Sequence, residues 1–295
     1  MEIASPITVV GAGVMGRGIA EVSAVAGAET RLVDVSRPQL DSALEAIDRS
    51  LATGVERGKV DAEVADRARG LITTSTELRE GTADAALVIE AVVERMDIKH
   101  DVLREAEQHA APDAMLATNT SALSVTEIVA CLDDPSRGVG MHFFNPVPKM
   151  RLVELVRALQ TAPTIMDRAE ATAQAMGKTT VRVEDLPGFA TSRINALIGN
   201  EAMRMLEQGV ASAEDIDTAV KLGLNHPMGP LEMGDLVGWD TRLAVLEYLE
   251  RTLGDRFRPT TLHRRLVAAG RLGRKRGHGV HRYDPDGRRV TDEPT

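Results

Sequence analysis

Apolar positions in the first two-thirds of the chain fall into two kinds of run. Short β-branched stretches alternate with longer segments in which apolar residues recur every three or four positions, so strands and amphipathic helices should alternate. Ile7 to Val10 reads as a strand. It is followed by the turn Gly11-Ala12-Gly13-Val14-Met15-Gly16, an Ala-rich helical segment from Gly18 to Ala26, and a second strand from Thr30 to Val35 with Asp34 near its end. Strand, turn, helix, strand in this order opens a doubly wound α/β sheet. Residues of about 37–69 are amphipathic and helical with a break at Gly54 and Gly58, too long for an ordinary crossover, and predict a protruding helical pair. Further strands are expected at Leu71 to Thr74, Ala86 to Ala91, Met115 to Thr118, Val139 to Phe143, Val153 to Val156 and Thr179 to Val183. Helices at Asp97 to His109, Val125 to Leu132 and Ile165 to Met176 separate most of them.

After Asp185-Leu186-Pro187-Gly188 the strand signals stop and helical periodicity continues to about Gly270. The Pro-Gly punctuation and the change of period mark a boundary near Leu186. The expected architecture is a Rossmann-type domain over residues 1–185, with the helical arm at 37–69, and an all-helical domain over 186–295. Ser212, before Glu214 and Asp215, is a candidate helix N-cap.

Composition narrows the function classes. The chain has 295 residues, 35 Lys+Arg and 44 Asp+Glu, a formal net charge of -9, and 43% hydrophobic residues. An acidic surface repels polyanions, which argues against a broad nucleic-acid face, and seven aromatic residues leave little for base stacking. One cysteine, Cys131, makes neither an internal disulfide nor a Cys-rich zinc site, so no metal is expected and a reducing, cytoplasmic setting is the default. The start lacks a basic targeting region and no apolar run approaches a membrane span.

Two places carry candidate chemistry. The glycine-rich turn directly follows a strand and opens a helix. Gly11 allows the tight turn, Gly13 lets the backbone approach a pyrophosphate, and Gly16 permits close helix packing. Asp34 would accept hydrogen bonds from ribose hydroxyls and repel a 2'-phosphate, favouring NAD, with Arg31 and Arg37 tempering that preference. A nucleotide-free turn is the plain alternative. The second place is His142, at the end of an apolar strand where open α/β sheets put their chemistry. Glu154 sits in the apolar run Leu152 to Val156, where a carboxylate needs a partner. His142 is the expected partner, and Arg151 or a solvent-facing position is the alternative. Paired to Glu154, His142 would serve as a general base.

These residues, together with Glu90-Ala91-Val92-Val93-Glu94, Asn119-Thr120-Ser121, His142-Phe143-Phe144-Asn145-Pro146-Val147-Pro148, Asp185-Leu186-Pro187-Gly188-Phe189 and Pro227-Met228-Gly229-Pro230, resemble the short-chain L-3-hydroxyacyl-CoA dehydrogenase family, 3-hydroxybutyryl-CoA dehydrogenases included. The resemblance runs from about Ile7 to Tyr283. It implies NAD-dependent oxidation of (S)-3-hydroxyacyl-CoA in fatty-acid or related metabolism, with an N-terminal NAD domain, a C-terminal helical domain that dimerises, and an active site between them. It places the catalytic histidine on His142, its carboxylate on Glu154, and a hydroxyl serving both substrate and nicotinamide on Ser121. Beyond the residues Gly11, Ala12, Gly13, Val14, Met15, Gly16 and Asp34, it assigns cofactor contacts to Glu94, Lys99, Ser121, Asn145 and Lys275. It puts CoA contacts on Ser50 and Arg57, where arginine replaces a lysine.

One departure stands out. The family has Asn before Arg after Pro-Gly-Phe, and that amide helps hold the substrate carbonyl; here Ser192 takes the place. Asn195 or Asn200 could compensate. Judged by residue type alone, Ser121 is a turn residue, Lys99 and Arg57 are solvated helix positions, and His226, His278 and His281 are surface groups. Residues 251–295 hold 12 Lys+Arg and 5 Asp+Glu, net +7, leaving -16 on the first 250. The preferred reading is a tail that neighbours cofactor phosphates or the acidic body. Two other functions share these residues: a dehydrogenase of a free hydroxy acid or sugar acid, and a catalytically weak NAD-binding structural protein.

Overall fold

The computed structural model describes residues 3–290 and divides the chain into two compact units, Met1–Leu186 and Pro187–Thr295. The outermost ends of the two expected domains, residues 1–2 and 291–295, lie outside the described residues.

In the first unit, β1 (Ile7–Val10), α1 (Val14–Val25), β2 (Thr30–Val33), α2 (Arg37–Glu56), α3 (Ala62–Leu71), β3 (Ile72–Ser75), α4 (Leu78–Thr82) and β4 (Leu87–Glu90) come first. Then follow α5 (Met96–His109), β5 (Met115–Thr118), α6 (Val125–Val129), β6 (Gly138–Phe143), β7 (Leu152–Arg157), α7 (Pro163–Ala175) and β8 (Thr179–Glu184). The strands form one sheet in the order β3-β2-β1-β4-β5-β6-β7-β8. Through β6 the neighbours are parallel. β7 then runs antiparallel to β6 and parallel to β8. β1, β4 and β5 are buried along their whole length, because helices cover both faces of a parallel sheet; this is why they read as unbroken apolar runs. The chain order reverses between β1 and β4, and a crevice forms at the carboxyl ends of those strands.

The expected helical pair is present as α2 and α3, and one stripe of each is buried. Leu40, Ala43, Ile47 and Leu51 of α2 and Ala65 and Ala68 of α3 join the same core as Ile7 and Val9, since their 3.6-residue stripe has sheet-side helices to cover. α6 stops short of Leu132: the N–H groups of Asp133 and Asp134 turn to the Glu107 carboxylate, and Pro135 follows. α4 is a single turn with no periodicity to announce it.

The second unit holds α8 (Thr191–Glu207), α9 (Ala213–Gly223), α10 (Pro230–Val237), α11 (Trp239–Leu253) and α12 (Thr261–Ala268). Met203, Ile216, Leu231, Trp239 and Leu266 form its centre. Ser212 Oγ accepts from Asp215 N at 3.1 Å and caps α9. The unit is helical but not all-helical: β9 (Arg282–Tyr283) and β10 (Arg289–Val290) pair antiparallel, two residues each and too short for any periodic signal.

Candidate active site

Gly11, at φ +104°, turns the chain out of β1, and a side chain there would collide with the Ala91 backbone. A Cβ on Gly16 would overlap the Gly11 carbonyl, so this glycine is what lets α1 pack down on the turn. Gly13 is the N-cap residue of α1, and a Cβ on it would meet nothing within 4 Å. Open space thus lies where the unsatisfied N–H groups of the first helical turn point, as an anion requires. Asp34 is fixed at the same mouth: Oδ2 accepts from Ala12 N at 2.8 Å and Oδ1 from Ser36 N at 3.0 Å.

A 590 Å³ cavity runs from Gly13 past Asp34, with Val35, Leu78, Val92 and Ile98 among its apolar walls. An apolar slot, a carboxylate and a helix N-terminus in this order fit the adenine, ribose and pyrophosphate of a dinucleotide. Val14 and Met15 line it as well. Ala12 does not offer itself as a contact: it is completely buried, its N–H goes to Asp34 and its carbonyl accepts from Gln39 Nε2 at 3.1 Å. Gln39, also on the cavity wall, carries no sequence signal. Arg31 and Arg37 do not temper Asp34; they donate to the Ala83 carbonyl and to Thr74 Oγ1.

At the ends of β4 and β5 a chain of buried charge begins. Glu90 is completely buried and accepts from Val92 N (2.7 Å), Thr118 Oγ1 (2.7 Å) and Lys99 Nζ (2.8 Å). Lys99 also lies 3.1 Å from Glu94, whose carboxylate accepts from Thr120 Oγ1 and from Ser121 N at 3.2 Å. Lys99 is therefore neither a solvated helix residue nor a group with surface for a cofactor to touch, because α5 places it on the buried stripe with Leu103 and Ala106. Glu94, half-exposed, is the member a dinucleotide can reach, and Ser121 is exposed on the turn that Glu94 holds.

His142 on β6 and Glu154 on β7 are direct register partners. The connection between the two strands is short, which forces an antiparallel pair and sets the two side chains on one face. Nδ1 of His142 and Oε2 of Glu154 are 2.8 Å apart, with His142 6% exposed and Glu154 completely buried. The carboxylate is shut off from solvent and has the expected imidazole as a partner. The pairing engages Nδ1 with Glu154 and so favours one orientation of the ring. The Phe144 ring lies 4.4 Å from the imidazole, and Asn119 Oδ1 accepts from Phe143 N at 2.9 Å. Asn145 follows, exposed.

The other sequence candidates are spread over both units. Ser50 Oγ donates to Glu21 at 2.8 Å, and Arg57 is exposed at the end of α2. Ser192 lies in the first turn of α8. Asn200 is not available to replace the missing amide, since it is buried and donates to the Arg258 carbonyl. Asn195 is exposed and borders a 270 Å³ apolar pocket with His226 and Met228, its Oδ1 accepting from the buried Arg242 at 3.2 Å. Lys275 pairs with Asp240 at 2.7 Å. His281 is no surface group: it is buried and bonds Asp217 at 2.8 Å. Asp185 caps α6, accepting from Ser124 Oγ and the Val125 and Thr126 N–H groups.

Residues 6–186 match the family described as 3-hydroxyacyl-CoA dehydrogenase, NAD binding domain, and residues 188–283 match its C-terminal domain. The chain belongs to the 3-hydroxyacyl-CoA dehydrogenase family. It is 42% identical to a probable 3-hydroxybutyryl-CoA dehydrogenase of Deinococcus radiodurans over 93% of this chain and 99% of the relative. A Bacillus subtilis protein of the same description is also 42% identical, over 96% and 99%. The crystal structure of (S)-3-hydroxybutyryl-CoA dehydrogenase from Ralstonia eutropha superposes with a TM-score of 0.92 at 40% identity, covering 96% of this chain and all of that one. The family assignment makes the chain an NAD-dependent oxidoreductase, and the glycine-rich cavity described above lies within the matched NAD-binding domain.

Proposed function

We propose that this dehydrogenase oxidises (S)-3-hydroxybutyryl-CoA to acetoacetyl-CoA, reversibly, with His142 as general base. The observation that carries the reading is the His142–Glu154 register pair in the same unit as the dinucleotide cavity. NAD, when bound, supplies the hydride acceptor. His142 Nε2 takes the proton of the 3-hydroxyl as the C–O single bond becomes a carbonyl and C3 gives up its hydride. Glu154, buried against Nδ1, fixes the tautomer and compensates the imidazolium charge. Ser121, on a turn fastened by Glu94, is proposed to hydrogen-bond the substrate oxygen. Gly13 and Asp34 bind pyrophosphate and ribose, with Glu94, Asn145 and Lys275 as further cofactor contacts; Ser50 and Arg57 meet CoA, and Ser192 or Asn195 the substrate carbonyl.

We also propose a homodimer through the helical unit, supported by its exposed Ile194, Val210, Leu222 and Leu224, and a cytoplasmic setting for a chain whose one thiol, Cys131, is pushed up by burial. No helix among the described residues is long and apolar enough to cross a membrane. The deciding experiment follows NADH absorbance with acetoacetyl-CoA and with free acetoacetate. Turnover of the thioester at a much lower Michaelis constant is expected. Equal turnover of the free acid, or none of either, sinks the proposal.

A further inference from the structure

The mechanism leaves one buried ionic cluster of the first unit unused. Glu21, on α1, is 6% exposed and accepts from Ser50 Oγ on α2 at 2.8 Å. Lys178, in the turn between α7 and β8, is also buried and donates to the carbonyl oxygens of Val147 (2.6 Å) and Met150 (3.0 Å). Those two carbonyls belong to the loop 144–151, which joins the strands that carry His142 and Glu154. The same loop rests on α1, where a Cβ on Gly18 would lie 2.9 Å from Val147 Cβ. Phe144, at its start, packs against the His142 ring. The charges that face Glu21 are Lys178, from the α7–β8 turn, and Arg17, from its own helix; Ser50 is its polar neighbour on α2.

We propose that Lys178 and Glu21 are positioning residues: Lys178 clamps the loop between the two catalytic strands, and Glu21, the carboxylate that faces Lys178, orients the Ser50 hydroxyl on α2. The inference deepens the proposed reaction and rests on it. Ionised, Glu21 draws the Ser50 proton and balances Lys178, so the Ser50 oxygen is left to accept a hydrogen bond from the substrate. Protonated, Glu21 can donate to Ser50, whose hydroxyl then turns outward as a donor, and Lys178 loses its counter-charge in the same step. Burial pushes the Glu21 carboxyl up to about 7 against the lowering pull of Ser50, Lys178 and Arg17, which puts this exchange in the neutral range.

The test compares wild type with Lys178→Met, Lys178→Arg and Glu21→Gln by hydrogen exchange and by turnover of acetoacetyl-CoA with NADH from mildly acidic to mildly basic pH. The amides of Lys149 and Met150, both bonded to the Pro146 carbonyl, are the reporters. In Lys178→Met they should exchange about tenfold faster and kcat should fall about tenfold, with the NADH Michaelis constant nearly unchanged. Lys178→Arg should be intermediate in both. Glu21→Gln should keep the loop protected and abolish the change in acetoacetyl-CoA Michaelis constant that wild type shows across neutrality. Unchanged exchange at the two reporters, or parallel Michaelis-constant profiles for wild type and Glu21→Gln, overturns the proposal. Should Lys178→Met not fold, Lys178→Arg decides: reporters protected as in wild type overturn the clamp. A wild type that turns over no acetoacetyl-CoA refutes the reaction instead, and the exchange experiment still judges the clamp.

Discussion

In the sheet unit, buried charge gathers where β4, β5 and β6 end, and each chain of contacts runs outward: Glu90 to Lys99 to Glu94 to the exposed Ser121, and Glu154 to His142. In the helical unit the buried carboxylates gather backbone N–H groups and side chains around themselves. Asp235 accepts from Trp239 Nε1, Tyr283 Oη and the N–H groups of Val280 and His281; Asp217 accepts from the Leu231 and Glu232 N–H groups and bonds the His281 ring. Glycines make the room, since a Cβ on Gly279 would strike Asp235 and one on Gly229 would strike Asp217. The Pro227-Met228-Gly229-Pro230 motif is thereby a packing device as well as a family mark. Burial alone does not separate chemistry from stapling. The difference lies in the surroundings: His142 and Glu94 stand in the unit that holds the dinucleotide cavity, whereas Asp235 and Asp217 take most of their hydrogen bonds from backbone N–H groups and from buried side chains of the same unit.

That contrast can be broken from either side, and the largest effect is expected at His142. His142→Ala should lower kcat about a thousandfold, or about 4 kcal/mol in barrier, with a smaller loss of thermal stability because the buried Glu154 loses its imidazole partner. Stopped-flow reduction of acetoacetyl-CoA measures the first and calorimetry the second. Asp235→Ala should do the reverse, destabilising the helical unit by about 3 kcal/mol because four donors lose one acceptor, while NAD affinity is retained. A variant at Asp235 that loses NAD binding yet melts like wild type would erase the distinction between the units.

Next in size is the pH dependence of stability. The Glu21 carboxyl, raised from 4.5 to about 7 by burial, binds its proton more tightly folded than unfolded. Its contribution is therefore intact below the unfolded value and is lost as pH rises from about 4.5 through 7. Glu21→Gln removes the loss, so its advantage in unfolding free energy should grow across that window and level off above it, at no more than about 3 kcal/mol. Melting curves at mildly acidic and mildly alkaline pH read it out, and an advantage that is constant with pH contradicts it.

The same contrast explains what was legible in the chain. Gly11 and Gly16 are forced by backbone contact, so their spacing announces the turn before any fold is known. His142 and Glu154 lie close in sequence around a short loop, and each stands out as a polar residue in an apolar run. Lys99 is buried although its residue type reads as solvated: it shares a helical stripe with Leu103 and Ala106, and the pattern is hidden only because lysine is polar. His281 could not be found this way, since its partner Asp217 is 64 residues away and no local period links them. The basic tail is similar. Its charges meet carboxylates of the helical unit, Arg264 with Glu247, Arg274 with Glu232 and Lys275 with Asp240, pairings that net charge cannot locate.

The smallest effect is expected at Arg57, which is exposed at the end of α2, seven residues and two helical turns from Ser50. An exposed cation facing a phosphate is screened by water and salt, so Arg57→Ala should raise the acetoacetyl-CoA Michaelis constant only about threefold to fivefold and leave kcat alone. The increase should shrink as salt is added. It should vanish with a short thioester that lacks the nucleotide of CoA, because the interaction is with that nucleotide and not with the reacting carbons. If Arg57→Ala weakens both substrates equally, the arginine acts through the fold of α2, and the CoA contact belongs elsewhere.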